Sequence, residues 1–291
     1  MRIELATAER AEEDAVRAAV RSGVAVRILQ SMDDFRRADD VVASVWGTGP
    51  ANAQMPAELI RALTHAGGYA AGAFDGGDLV GAVIAFLGRD PEGIFLHSHI
   101  LGVRPDFQAR SIGFALKEHQ RAWSLAQGLR RVTWTFDPLV RRNAYFNLQK
   151  LAADVGEYHA NFYGAMGDGI NAGDESDRVL ATWYLDDPEV VAAAGTRRTD
   201  PDIDRLVDRG AARVLSADDR GRPQVCAGRT GTILCEVPSD IIGLRAADPG
   251  LAFGWRRALR ETLGASMDDG YAVKGISRSG WYVLTRDGSP A

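Results

Sequence analysis

The chain has 291 residues, 46% of them hydrophobic and 25% charged, which suits one large globular domain or two smaller ones. With 34 Lys and Arg against 39 Asp and Glu the formal net charge is −5, so no general basic field exists and nucleic acid is not an expected partner. No apolar run is long enough to span a membrane, the N-terminus lacks a signal-peptide core, and Cys226 and Cys235 have no metal-ligand spacing, so a soluble cytoplasmic protein with reduced thiols is expected.

Residues 6 to 21 are rich in helix formers and amphipathic, and with Gly23 as a stop they form a helical extension over 1–23. VAVRILQ (24–30) reads as a strand. Ser31 caps the next helix, with Asp33 and Asp34 in its first turn, and that helix runs to Trp46. After a Gly/Pro loop come a helix over 56–66 and strands over 69–75 and 78–89, joined by Gly76-Gly77 as a hairpin. The nearly continuous apolar run at 94–103 marks a central strand.

A helix over 111–127, a strand over 130–139, a helix near 142–152 and strands over 156–164 and 178–185 follow, with a polar loop before the last. Residues 188–204 are small and charged and read as a linker. Residues 205–291 hold short strands, a helix over 249–267 and a final strand pair, a C-terminal α+β segment. The order predicts an α+β fold with a mixed, mostly antiparallel sheet flanked by helices and one parallel step.

The segment 97–123 joins the central strand to a helix through a short turn, Gln108-Ala109-Arg110-Ser111-Ile112-Gly113. The first amides of a helix have no internal acceptor and carry the positive end of its dipole, so they can hold a phosphate. Small side chains at Ser111 and Gly113 allow close approach. A tight turn that binds nothing is the bland alternative.

That turn, the apolar strand end at Val103 and the helix over 142–152 resemble the GNAT superfamily of N-acetyltransferases over 24–187. The family pattern Q/R-x-x-G-x-G/A is met except that Ser111 stands for the first Gly. The resemblance implies that the turn holds the pyrophosphate of acetyl-CoA, or of another acyl-CoA, and that the pantetheine arm enters a gap between two splayed parallel strands. Asn143 and Asn147 are the implied polar contacts beside that gap. LQKLA is similar to the family's YxKLG, with Leu148 where many members carry the Tyr that protonates the departing thiolate. Tyr145 and Tyr163 are the substitutes. The strings WTFDPL, RNAYFN and NFYG, together with VPSDI and WRRALRE, resemble a narrower subgroup of acetyltransferases of uncertain substrate. The C-terminal segment could be half of a second such unit.

The implied reaction is direct acyl transfer to a small-molecule amine in a ternary complex. A backbone amide at Leu101, Gly102 or Val103 would polarise the thioester carbonyl. His97, six residues before Val103, is the candidate base, with an unperturbed pKa near neutrality. His99 shares its face unless a bulge intervenes. For both, a hydrogen-bonded core histidine is the alternative, and no third ligand accompanies them for a metal. Asp137 would hold a substrate cation, with a turn role as the alternative, and Trp134 would line the substrate side or pack in the core. Arg104 and Arg110 could steer phosphates. Arg256 and Arg260 share a helix face and could bind an acidic group, although ion pairing is the simpler reading. Acyl-CoA binding without turnover, as in a regulatory protein, is the competing function. Oligomeric state is open.

Overall fold

The computed structural model describes residues 2–47, 54–164, 174–196, 198–228 and 230–286, so most of the polar loop at 165–177 lies outside the described residues. In chain order the elements are α1 (Arg2–Ser22), β1 (Ala25–Ile28), α2 (Met32–Trp46), α3 (Ala57–His65), β2 (Tyr69–Asp75), β3 (Asp78–Asp90), β4 (Gly93–Val103), α4 (Ile112–Ala126), β5 (Arg131–Phe136) and α5 (Arg141–Tyr145). There follow β6 (Asp154–His159), β7 (Arg178–Tyr184), α6 (Pro188–Gly195), α7 (Ile203–Asp208), β8 (Ala212–Ala217), β9 (Pro223–Val225), β10 (Thr232–Glu236), α8 (Ile241–Ala247), α9 (Pro249–Leu259), α10 (Ala265–Asp268), β11 (Tyr271–Ile276) and β12 (Trp281–Arg286).

This is the α+β architecture expected. The larger sheet has the order β1-β2-β3-β4-β5-β7-β6 and the smaller one β11-β12-β10-β8-β9. Neighbours from β1 to β4 are antiparallel, while β4 and β5 are parallel, because α4 carries the chain across between them. In the smaller sheet only β8 and β10 run parallel. No described helix is long and apolar enough to cross a membrane.

Contacts divide the chain into two compact units, Met1–Trp134 with Trp183–Gly195, and Thr135–Thr182 with Thr196–Ala291. The division crosses the chain within β5, within β7 and between Gly195 and Thr196. The first part of 188–204 is a helix. Pro188 opens α6, the Glu189 amide donates to Asp187 Oδ1 at 2.7 Å, and Val190, Ala193 and Ala194 are buried. Small residues that read as linker are what let this helix pack closely.

In the first unit α2 begins as the sequence indicates. Ser31 accepts the Asp34 amide and Asp34 returns the bond, a capping box, and Arg27 grips the same carboxylate at 2.8 and 2.9 Å. One face of the sheet packs on α2 and α3 through Phe35, Val42, Ile60, Ile84 and Ile100. The other face receives α4, itself covered by α1. That leaves α4 with almost no solvated side, and Lys117, Glu118, Gln120, Arg121 and Ser124 are buried together with Leu116. Gly81 on β3 makes the close approach feasible, since a Cβ there would lie 3.2 Å from both Ile112 and Leu116.

In the second unit the five-stranded sheet packs with α9, whose Trp255 and Leu259 are buried. Helix α9 continues as a π-helical turn over Arg260–Gly264, and Gly264 there lets the Tyr158 ring approach to 3.2 Å from where a Cβ would sit.

Candidate functional site

The phosphate-type turn forms in the first unit. A single 3-10 turn over Pro105–Phe107 leads into Ala109 and Ser111, both left-handed with φ of 70° and 62°. Left-handed residues in a turn are the kind of backbone from which anion nests are built. The amides of Phe114 and Ala115 return to the Ser111 carbonyl at 3.0 and 3.2 Å. Ile112 and Gly113 open α4, so their amides have no upstream acceptor, and no acidic residue sits in the first turn to compete for an anion. Ser111 adopts a conformation that Gly takes without strain, which is why a Gly is usual in this pattern.

The arginines of the turn serve geometry first. Arg110 pairs with Asp75 at 2.6 Å and donates to the Ser22 and Gly23 carbonyls, tying the turn to the end of β2 and to the exit of α1. Arg104 pairs with Asp106 at 2.7 Å, and the Phe107 ring lies under both guanidiniums.

Strand β4 opens beside β5. The two pair only at Leu96–Val132 and His97–Thr133. From Ser98 to Val103, β4 pairs with β3 alone among these neighbours, leaving its other edge, with Leu101, Gly102 and Val103, free of the β5 ladder. A bulge interrupts β4 as well. Ile84 pairs with Ile100 but the next residue, Ala85, pairs with Ser98, so His99 is the extra residue. Ser98 therefore faces α4, while Ile100 faces α2 and α3.

His97 and His99 both approach the Phe86 ring, at centroid distances of 5.1 and 5.8 Å. His97 Nδ1 lies 3.0 Å from Thr133 Oγ1. If Nδ1 donates there, Nε2 is left as an acceptor. Burial, with the charges of His99 and Lys117 behind it, lowers the His97 imidazole to about 4. The near-neutral value expected from sequence is thus overturned by the low-dielectric setting of the strand. Burial also lowers His99, although its side chain retains an exposed face at the bulge.

Trp134 packs with Trp183 and Lys117. It is 6% exposed, meets Trp183 edge-on at 6.0 Å, and carries Lys117 Nζ 3.6 Å from its ring centroid. It is a wall of the α4 side of the sheet and offers no open face to a substrate. Sequence reasoning missed Lys117, because a lysine on an amphipathic helix is ordinarily on its solvated side.

The second unit holds the other candidates. Asn143 is exposed and Asn147 is buried, on α5 and on the π-helical turn Phe146–Lys150 that extends it. The Leu151 amide reaches back to the Phe146 carbonyl at 3.1 Å, closing that wider turn. Leu148 is buried within it and its carbonyl accepts from Arg198. The Tyr145 hydroxyl accepts from Arg278 Nε at 3.1 Å. Tyr163 is 43% exposed, with its hydroxyl 3.1 Å from Thr135 Oγ1 and its ring edge-on to Phe162.

Asp137 is committed to structure. Its Oδ1 accepts from the Leu139 amide at 2.9 Å, the expected turn role. Its oxygens also take Arg256 Nη1 and Nη2 at 2.8 Å each and Arg245 Nη2 at 2.5 Å. Burial would raise this carboxyl, but the hydrogen bonds and charge of Arg256, with Arg245 and Arg178, hold it well below the usual range. Asp174 bridges the same two arginines, and Arg260 pairs with Glu175 and Asp177. The pair Arg256 and Arg260 is thus an ion-pairing face, and Asp137, 5% exposed, has no open side for a substrate cation. Among the described residues no group of three or more His, Cys, Asp or Glu side chains could hold a metal.

Residues 30–150 match the model of the Acetyltransferase (GNAT) family. Over this stretch, less than half of its length, the chain is similar to GNAT acetyltransferases. The stretch contains the turn, the bulged strand and the α5 helix. Solved structures similar to the chain include a GNAT family acetyltransferase from Elizabethkingia anophelis with acetyl-CoA bound, at 13% identity and a TM-score of 0.43, covering 56% of this chain and 98% of that one. A ribosomal-protein alanine N-acetyltransferase from Escherichia coli is similar at 12% identity and a TM-score of 0.45, over 56% of this chain and 94% of its own. A GNAT family acetyltransferase from Streptococcus pneumoniae matches at 13% identity and 0.45, over 55% and 98%. No curated protein matches the chain.

Proposed function

We propose that this protein is an acetyl-CoA-dependent N-acyltransferase that passes the acyl group directly to the amine of a small molecule. The observation that carries the reading is the turn at Gln108–Gly113, where left-handed Ala109 and Ser111 precede unpartnered helix-opening amides within the stretch that matches the GNAT family. The turn fits a pyrophosphate. A Cβ on Gly113 would meet only Leu101, at 3.6 Å, so the chain leaves room beside Gly113.

In the transfer, the amine nitrogen attacks the thioester carbon, an N–C bond forms and the C–S bond breaks. A β4 amide between Leu101 and Val103 would donate to the carbonyl oxygen as charge develops there. The amine must lose a proton, and neutral His97 or His99 would accept it directly or through water. The thiolate takes a proton from Tyr145 or Tyr163, since Leu148 has none to give. Asn143 and Asn147 would contact the pantetheine arm.

Calorimetric titration with acetyl-CoA tests the cofactor, and heat-silent titration at millimolar ligand would sink the reading. A second reading is acyl-CoA binding without turnover. It is favoured by Leu148 and by the low basicity of His97. Mass spectrometry of a pool of amines incubated with protein and acetyl-CoA separates the two, because only the enzyme yields products heavier by an acetyl group.

A further inference from the structure

The amine of Lys117 is buried on the face of β4 opposite the α2–α3 core, on helix α4, with 3% of the residue exposed. Its Nζ donates to Ser98 Oγ at 3.1 Å and to Gln120 Oε1 at 3.0 Å, and rests 3.6 Å above the Trp134 ring, with Trp183 at 5.7 Å. Both hydrogen-bond acceptors are neutral. Burying an amine among indoles without a carboxylate partner penalises the folded state, and burial drives this amine well below the usual lysine range. A methionine of similar length would fill the same space at no such penalty.

What the amine does is visible in the strand register. In an unbroken strand Ser98 and Ile100 would share a face. Here Ile100 is anchored in the α2–α3 cluster and Ser98 is anchored on Lys117 across the sheet. Both anchors can be satisfied only if one residue is inserted between them, and that residue is His99. A slip that erased the bulge would turn every following side chain of β4 to the other face.

We propose that Lys117 is a positioning residue. By holding Ser98 from the α4 side it fixes the bulge at His99, and so sets the direction of His97 and of the amides from Leu101 to Val103. The catalytic part of this inference rests on the acetyl-transfer reading, whereas the structural part stands without it.

The test uses the full chain with Lys117→Met and, as a milder change, Ser98→Ala, which removes the acceptor and keeps the amine. Expected is a Lys117→Met protein that unfolds at the wild-type temperature or above, binds acetyl-CoA as before, and turns over roughly 10- to 100-fold more slowly, as a displacement near 1 Å would cause. Ser98→Ala should slow turnover in the same sense. In NMR spectra the backbone amides from Ser98 to Leu101 and the His97 imidazole should shift in both variants. Unshifted amides would overturn the inference, and so would a destabilised Lys117→Met protein whose activity tracks its folded fraction. If wild type transfers no acetyl group, the function above fails, while the amide shifts still decide the role of Lys117 in the bulge.

Discussion

Arg256 holds Asp137 two-handed, Nη1 to Oδ1 and Nη2 to Oδ2, both at 2.8 Å, with the arginine wholly buried and the aspartate nearly so. Breaking one member of such a pair leaves the other charge stranded in low dielectric. Arg256→Met should therefore destabilise the protein by about 3–5 kcal/mol. Denaturant unfolding monitored by circular dichroism reads this, and a loss under about 1 kcal/mol would mean that Arg245 alone satisfies Asp137.

Gly113→Glu should abolish acetyl-CoA binding by placing bulk and negative charge over the amides of the turn. The fold should be untouched, because a Cβ at this position meets only the Leu101 methyl, at the ordinary contact distance of 3.6 Å. Calorimetry and a thermal melt together check the pair of expectations. Unchanged affinity would move the phosphate site elsewhere.

The His97 imidazole should titrate near 4 in the folded protein, against 6.5 when free. Between those values the folded state binds fewer protons than the unfolded one, so stability is full above about 6.5 and is lost as pH falls through 4. NMR titration of the imidazole gives the value directly. His97→Gln should weaken that acid loss, and turnover of the wild type between pH 6 and 8 should show no inflection from this group.

Glu118 has the opposite sign. Burial, only partly offset by Arg121, pushes its carboxyl from 4.5 up to about 7. The folded state then holds a proton that the unfolded state has released, so stability contributed here is full below 4.5 and falls as pH rises through 7. Subtracting the stability curve of Glu118→Gln from that of wild type isolates this group. The difference should grow in favour of the variant from pH 5 to 7.5, reaching on the order of 3 kcal/mol. A flat difference would mean that Asp14 and Arg121, which share the site at 3.3 Å, rearrange to keep Glu118 charged.

The sequence by itself determined the turn and most elements, but not α6, which reads as linker. Ser31 with Asp34, the Gly76-Gly77 hairpin, the apolar run ending at Val103 and the small residues Ser111 and Gly113 each act through local backbone chemistry, which neighbouring residues specify. Tertiary structure decided the rest. Lys117 became a buried anchor because it faces the sheet, against Ser98, Trp134 and Trp183, while Arg121 is buried against Asp14 of α1 on the outer side of α4, and no periodicity within α4 reveals that second cover. His99 became the bulge residue because Ser98 and Ile100 are claimed from opposite faces of the sheet. The basicity of His97, and the commitment of Asp137 to two arginines more than a hundred positions away, follow from burial and long-range charge, and those exist only once distant segments have packed together.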